Sequence, residues 1–437
     1  MRLPIPSWLV WPVYLFLINI VFPLTLLVIW PVLLLKEKRR RTLLPRLGFQ
    51  RYPDLDDEGL RPVWVHALSV GELTSAIPLI EGVRARLANR KLVVSVSTLA
   101  AHRMAEKRLK GTIDGLFYFP YETAMAYRRC LARIRPALFV LVETDIWPGY
   151  LRHFSKCGIS SLLVNARLSD RSLRSRRHWW CLFGAAFEAF EMIVGQSTGE
   201  TERFASLGIE RRRLGRPGNL KFDAVAQGAN EGTGEGLRRI LGFGVDDRII
   251  VAGSTHRGEE AVVLSAFSRL REDDPDLKLL LVPRHPERAE EVVDLTIDAG
   301  FKFARLTDLE SGDPDVVVIN RIGYLSRLYS IAEIAFVGGS LVRRGGQNPI
   351  EPAMAAKPIL FGPDMSDFPD IAPELIEAGG ACVVGDGDEI HARCRDWLDH
   401  PDRASRVGSK ALGVIEKHRG TAGRLVGEIS NRLERKT

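Results

Sequence analysis

Two acidic motifs stand where a folded chain could use them as bases: Ala67-Leu68-Ser69-Val70-Gly71-Glu72 and Glu143-Thr144-Asp145-Ile146-Trp147-Pro148. Each follows a short β-branched run and precedes a helical pattern, which puts an acid near a helix start. A carboxylate facing a cleft there can take a proton as a general base. It can equally complement the helix dipole, worth about 0.3–1 kcal/mol, or, for Asp145, cap the helix begun by Pro148. Farther on come Gly253-Ser254-Thr255-His256, Pro283-Arg284-His285-Pro286-Glu287-Arg288, Gly338-Gly339-Ser340 and Gly345-Gly346-Gln347-Asn348-Pro349-Ile350-Glu351-Pro352. Hydroxyls, backbone donors and cations gathered at helix starts suit an anionic nucleotide phosphate. Glu351, three residues after Asn348, could hold ribose hydroxyls. No GxxxxGK[ST] loop is present, which argues against an NTPase.

The elements that must carry these motifs are short buried strands alternating with helical patterns. Val63 to His66, Leu92 to Val96, Leu138 to Val142, Leu162 to Val164 and Met192 to Val194 form one βαβ series. Ile249 to Val251, Leu279 to Val282, Val316 to Ile319, Ile334 to Val337 and Pro358 to Phe361 form a second. The expected fold class is α/β, with two doubly wound halves and a ligand cleft between the carboxyl ends of their sheets. The first half spans residues 52–226, a glycine-rich linker 227–236, and the second half 237–437. That second half includes a charged helical tail from about Asp402, with an apolar stripe through Val407, Leu412, Val414, Ile415, Leu425, Val426, Ile429 and Leu433.

Ahead of both halves, Trp8 to Leu35 carries no charged side chain, and Lys36-Glu37-Lys38-Arg39-Arg40-Arg41 follows it. About 20 apolar residues suffice to cross a bilayer. Residues 1–35 therefore read as a membrane anchor and 36–51 as a basic juxtamembrane segment that stays cytoplasmic. The run is too long for a signal peptide and its charge lies on the wrong side. Pro12, Pro23 and Pro31 keep two arrangements open, a single span and a broken or interfacial helix. The formal charge of +7 resides entirely in Arg2 and residues 36–51, leaving residues 52–437 at zero. The basic cluster suits anionic lipid headgroups, and a neutral folded portion excludes a nucleic-acid binder. Five scattered cysteines without CxxC spacing fit a reducing cytosol and offer no metal site; Cys181, beside Trp179 and Trp180, reads as packing.

The ordered motifs resemble the 3-deoxy-D-manno-octulosonic acid (Kdo) transferases. They are His66-Ala67-x-Ser69-x-Gly71-Glu72, Glu143-Thr144-x-x-Trp147-Pro148, Asn165-Ala166-Arg167-Leu168-Ser169, Gly218-Asn219-Leu220-Lys221-Phe222-Asp223, Gly253 to His256, Pro283 to Arg288, Phe336 to Leu341 and Asn348 to Pro352. The resemblance implies a GT-B glycosyltransferase that moves Kdo from CMP-Kdo onto a lipid A precursor, with inversion and without a metal or cofactor. It implies Glu72 as general base and Glu143 and Lys221 as transition-state stabilisers. It implies CMP contacts at Pro283, Arg284, Ile322, Gly323, Tyr324, Asn348, Pro349, Ile350 and Glu351. It also implies a place at the cell inner membrane, in lipopolysaccharide biosynthesis.

Several positions depart from the family pattern. Leu99-Ala100-Ala101-His102-Arg103 replaces a Thr-Pro-Thr-Gly-Ser loop, Tyr324 a glutamate, Gln347 a histidine and Asp367 an asparagine. They bear on the acceptor and on the number of sugars added, and they define one alternative, a paralogous membrane-associated glycosyltransferase with another donor or acceptor. A sugar-nucleotide epimerase of the same fold and a non-catalytic membrane-tethered scaffold are the alternatives of other classes. Asp386-Gly387-Asp388 reads as a solvated turn, Arg171 to Arg177 as a solvated basic face, and His66 as packing or hydrogen bonding.

Overall fold

The computed structural model describes residues 7–35, 37–55, 59–143, 145–168, 180–228, 234–244, 246–307, 313–321 and 323–435. Thr144, Ser169, Ile322, the run Arg171 to Arg177, Trp179 and much of the expected linker lie outside them, as do the side chains of Trp180 and Cys181. The chain forms two compact units, residues 1–224 with 419–437, and residues 225–418.

The first unit is built on β1 (Val63–Ala67), β2 (Leu92–Val96), β3 (Gly115–Tyr118), β4 (Leu138–Val142), β5 (Ser160–Ala166) and β6 (Met192–Gly195). All pair in parallel, in the order β3-β2-β1-β4-β5-β6. Alternation along β1 sends Val63, Val65 and Ala67 into one buried layer and Trp64 into the other. With both faces covered, the strands read as continuous apolar runs. The strand order reverses between β1 and β4, and doubly wound sheets bind ligands at that point, beyond the carboxyl ends of the strands.

The second unit repeats the plan with β7 (Ile249–Thr255), β8 (Lys278–Pro283), β9 (Phe303–Arg305), β10 (Val316–Val318), β11 (Ile334–Val337), β12 (Ile359–Phe361) and β13 (Ala381–Val383). Their order is β13-β12-β11-β7-β8-β10-β9, again all parallel, with the reversal between β7 and β11.

The end of the tail departs from expectation. The helix Thr421–Glu434 belongs to the first unit, not the second. Its apolar stripe, Ala422, Leu425, Val426, Ile429 and Leu433, joins the core layer of Val63, Leu73 and Leu92. Two local features fix it there. Asp223 accepts from Gly420 N (2.7 Å) and Ala422 N (2.8 Å), satisfying donors at the helix start. Gly82 leaves room for Val426, whose Cγ2 would lie 2.7 Å from any Cβ at that position. Asp223→Ala is expected to cost about 0.5–2 kcal/mol, the usual loss of a helix cap, measurable as a lower urea midpoint.

The N-terminal apolar run is one continuous helical stretch: Ser7–Phe16 α-helical, Leu17–Val21 in the wider π form, and Phe22–Leu34 α-helical again. Proline clashes with the carbonyl four residues back, and a π turn just before Pro23 relieves that clash without breaking the helix. Its 20-residue segment Val10–Ile29 is long and apolar enough to cross a membrane.

Candidate active site

Glu72 and Glu143 flank the reversal point of the first sheet, one after β1 and the other after β4. Ser69 starts the helix Val70–Arg86, and its hydroxyl accepts from Glu72 N (3.4 Å) while the Glu72 carboxylate accepts from Leu68 N (2.5 Å). This reciprocal arrangement follows the S-x-x-E capping pattern and holds Glu72 in one orientation. Its electrostatics go beyond capping. Burial, and then the Glu143 carboxylate, push the Glu72 pKa up to about 8, although the Leu68 amide pulls the other way. A carboxyl so raised is a strong base once ionised.

Glu143 has φ +61°, a left-handed backbone that a non-glycine side chain adopts at a cost. Burial raises its carboxyl above the ordinary range, opposed by the charges of Lys221 and then Arg167. Lys221 lies in the first turn of the helix Leu220–Gly228. That turn is tied to the sheet by Asn165, fully buried in β5 at φ +55°, whose Oδ1 accepts from Leu220 N (2.9 Å). Asn219 Oδ1 accepts from Lys221 N (3.0 Å). Thus the sequence-read Glu72, Glu143 and Lys221 gather in one unit, with Glu143 coupled electrostatically to both others. Asn165→Ala, which loses the cap and strains the left-handed backbone, is expected to cost about 1–2 kcal/mol in denaturant titration, and Asn165→Gly less, because glycine accepts positive φ.

Asp145 does not cap the helix Pro148–Lys156, as the sequence allowed; that helix starts at Trp147 without a side-chain cap. Instead Asp145 Oδ2 accepts from Trp147 Nε1 (3.0 Å) and from His66 Nε2 (3.4 Å). Burial opposes ionisation of Asp145, but these hydrogen bonds and the charges of His66 and Arg46 hold its pKa below the ordinary value. His66 is fully buried, meets Ser95 through Nδ1 (2.9 Å to Oγ) and stacks on Phe119. Its place is structural, as the sequence suggested.

In the second unit, a buried carboxylate that sequence reading passed over organises the strand-end loops. Glu259, with no exposed surface, accepts from His256 N (2.8 Å), Gly339 N (2.7 Å), Ser340 N (2.9 Å) and Leu341 N (2.9 Å). It thereby joins the loops after β7 and β11, whose backbones approach so closely that a Cβ at Gly338 would lie 2.6 Å from Thr255 Cα. Pro283 ends β8 buried, while Arg284 is anchored through its amide to Thr255 O (2.9 Å) with its side chain exposed. Asn348 Oδ1 accepts from Ile350 N (3.1 Å), and Asn348 Nδ2 donates to Glu351 (3.1 Å). Burial raises the Glu351 carboxyl, partly offset by that bond. Pro349 and Ile350 are buried at this turn, and Gly323 and Tyr324 precede the helix Leu325–Ile331. Thr255 Oγ1 and His256 Nε2 are buried without a hydrogen-bond partner among the described residues. Asp386 caps the helix Gly387–Asp399, and Asp388 pairs with Arg269 (2.8 Å), the solvated turn expected of that motif.

The family described as 3-Deoxy-D-manno-octulosonic-acid transferase (kdotransferase) matches residues 30–224. The chain is 30% identical to the 3-deoxy-D-manno-octulosonic acid transferase of Haemophilus influenzae, over 97% of this chain and 98% of that one. It is 31% identical to the enzyme of the same description from Bordetella pertussis, over 85% and 87%. The chain belongs to the Kdo transferase family. As a Kdo transferase it is a glycosyltransferase, and the epimerase and scaffold alternatives lose their ground. The fold itself is shared with UDP-GlcNAc 2-epimerase from Neisseria meningitidis, with TM-score 0.59 and 15% identity, over 84% of this chain and 98% of that one.

What sequence reading missed in this Kdo transferase are the buried residues that organise the candidate loops, Asn165 and Glu259. Asn165 lay inside a quoted motif without a role; Glu259, on the helix after Gly253 to His256, carried no signal beyond an acid in a first helical turn.

Proposed function

We propose that the protein transfers Kdo from CMP-Kdo to a lipid A precursor, with inversion, at the cytoplasmic face of the inner membrane. The observation that carries this reading is the Glu72 carboxyl, raised to about 8 at the reversal point of the first sheet by burial and by Glu143, whose own carboxyl feels the charge of Lys221. In the step, an acceptor-sugar hydroxyl oxygen attacks C2 of Kdo while Glu72 takes its proton. The bond from C2 to the phosphate oxygen breaks, and CMP departs with the electron pair. Displacement from the face opposite the leaving group inverts C2. Lys221 meets developing negative charge, a task for which preorganised cations are effective, and Glu143 holds Lys221 by charge. Arg284 pairs with the phosphate of CMP, the turn at Gly323 and Tyr324 borders the nucleotide, and the turn Asn348-Pro349-Ile350-Glu351 offers Glu351 to the ribose. The departures at Leu99 to Arg103, Gln347 and Asp367 leave these groups in place, and Tyr324 puts a phenol beside the nucleotide where the family pattern has a carboxylate.

The test is incubation of the purified full chain with CMP-Kdo and a tetraacylated lipid A precursor, read by mass spectrometry of the lipid. A mass gain of one or more Kdo units is expected. An unchanged lipid with CMP-Kdo intact refutes the proposal.

A further inference from the structure

The N-terminal helix has two unlike faces. One bears Phe16, Ile20, Leu24, Leu27 and Val28, 48–79% exposed, spaced as one helical stripe. The opposite face is fastened to the first α/β unit along its length. The guanidinium of Arg152 lies 4.2 Å from the Trp11 ring centroid. The Tyr14 hydroxyl donates to buried Glu122, which also accepts from Tyr150 N (2.7 Å). Asn19 Oδ1 accepts from Ala124 N (2.6 Å), Phe22 meets Tyr121 edge to face, and Leu26 and Leu33 pack with Leu43.

These contacts are incompatible with a helix threaded through the bilayer. At 1.5 Å per residue, Trp11 lies roughly 38 Å along the axis from the basic cluster that begins at residue 36, whereas the hydrocarbon core is about 30 Å thick. A span with the basic cluster at one headgroup layer would put Trp11 and Tyr14 at the other. Their partners Arg152 and Glu122 would travel with them, and so would exposed Lys156, Arg128 and Arg129 of the same unit. The α/β unit, fastened along the helix between these ends through Glu122, Ala124 and Tyr121, would have to cross the hydrocarbon with it, where charges cost several kcal/mol each. A helix in the plane of the membrane keeps every contact and still removes the exposed stripe from water.

We propose that this helix lies in one leaflet, its stripe from Phe16 to Val28 buried at the acyl boundary, so that the protein sits on one membrane face without crossing it. The occupant of the stripe is phospholipid of that leaflet, and exposed Arg39, Arg40 and Arg41 meet its anionic headgroups. The inference is independent of the sugar transferred.

A membrane-impermeant maleimide applied to inside-out and right-side-out membrane vesicles carrying the full-length Leu3→Cys variant distinguishes the two arrangements. Exposed Cys157 of the first unit is the internal reference, and peptide-resolved mass spectrometry reads both positions. Labelling of Cys157 and of position 3 in the same vesicle orientation is expected. Labelling of position 3 from the opposite face, or from neither face until detergent is added, overturns the proposal.

Discussion

Glu72→Gln is expected to lower turnover by about 10²–10⁴-fold, the usual contribution of a general base, while leaving the fold intact. Glutamine keeps an acceptor for Leu68 N and the residue keeps its amide for Ser69, so the helix start survives. The stability response has a definite sign. A carboxyl raised from the ordinary value of 4.5 to about 8 in the folded state favours folding below 4.5. That contribution fades as pH rises from about 4.5 to 8, because the folded state then resists an ionisation that the unfolded chain undergoes freely. Glu72→Gln should therefore gain melting temperature relative to wild type between pH 5 and pH 9 while activity is lost at every pH. Parallel thermal melts and turnover assays check both halves. A variant destabilised at pH 9 would mean that Glu72 is mainly a cap.

The same site shows how far residue order alone reaches. Central strands were legible because parallel strands covered on both faces need β-branched, apolar residues, as in Leu92 to Val96 and Leu279 to Val282. The three that escaped, β3, β9 and β13, are short edge strands, Gly115–Tyr118, Phe303–Arg305 and Ala381–Val383, too short to form such a run of β-branched residues. The stripe from Leu425 to Leu433 announced a buried helix face but not its partner, since the partner is selected by Asp223 and Gly82, distant in sequence and silent in periodicity. The acids at strand ends were visible for the converse reason. Glu72 and Glu143 stand where apolar strands stop, so each interrupts the apolar pattern whether it serves a helix start or a base. Asn165 and Glu259 are buried polar residues whose bonds reach 55 residues on to Leu220 and about 80 residues on to Gly339 to Leu341. Such bonds leave no local trace.

Lys221→Ala is expected to reduce kcat by about 10²–10³-fold, the scale of removing one group that meets transition-state charge, with a smaller effect on the KM for the acceptor. The lysine also acts through Glu143. Its charge is the foremost influence holding the Glu143 carboxyl down against burial, so its loss should raise the Glu143 pKa further. Glu143→Gln acts in the opposite sense on Glu72: deletion of the like charge removes the second cause of its elevation and makes ionisation easier. The acid limb of the kcat/KM profile, expected near pH 8 in wild type with Glu72 as base, should move toward lower pH in Glu143→Gln even as the maximal rate falls. In the double variant, loss of Lys221 should cost less than it does alone, because residues acting as one unit are not additive. An acid limb that stays at its wild-type position in Glu143→Gln would separate Glu143 from the base. Its left-handed backbone would then serve only the turn into the helix Pro148–Lys156.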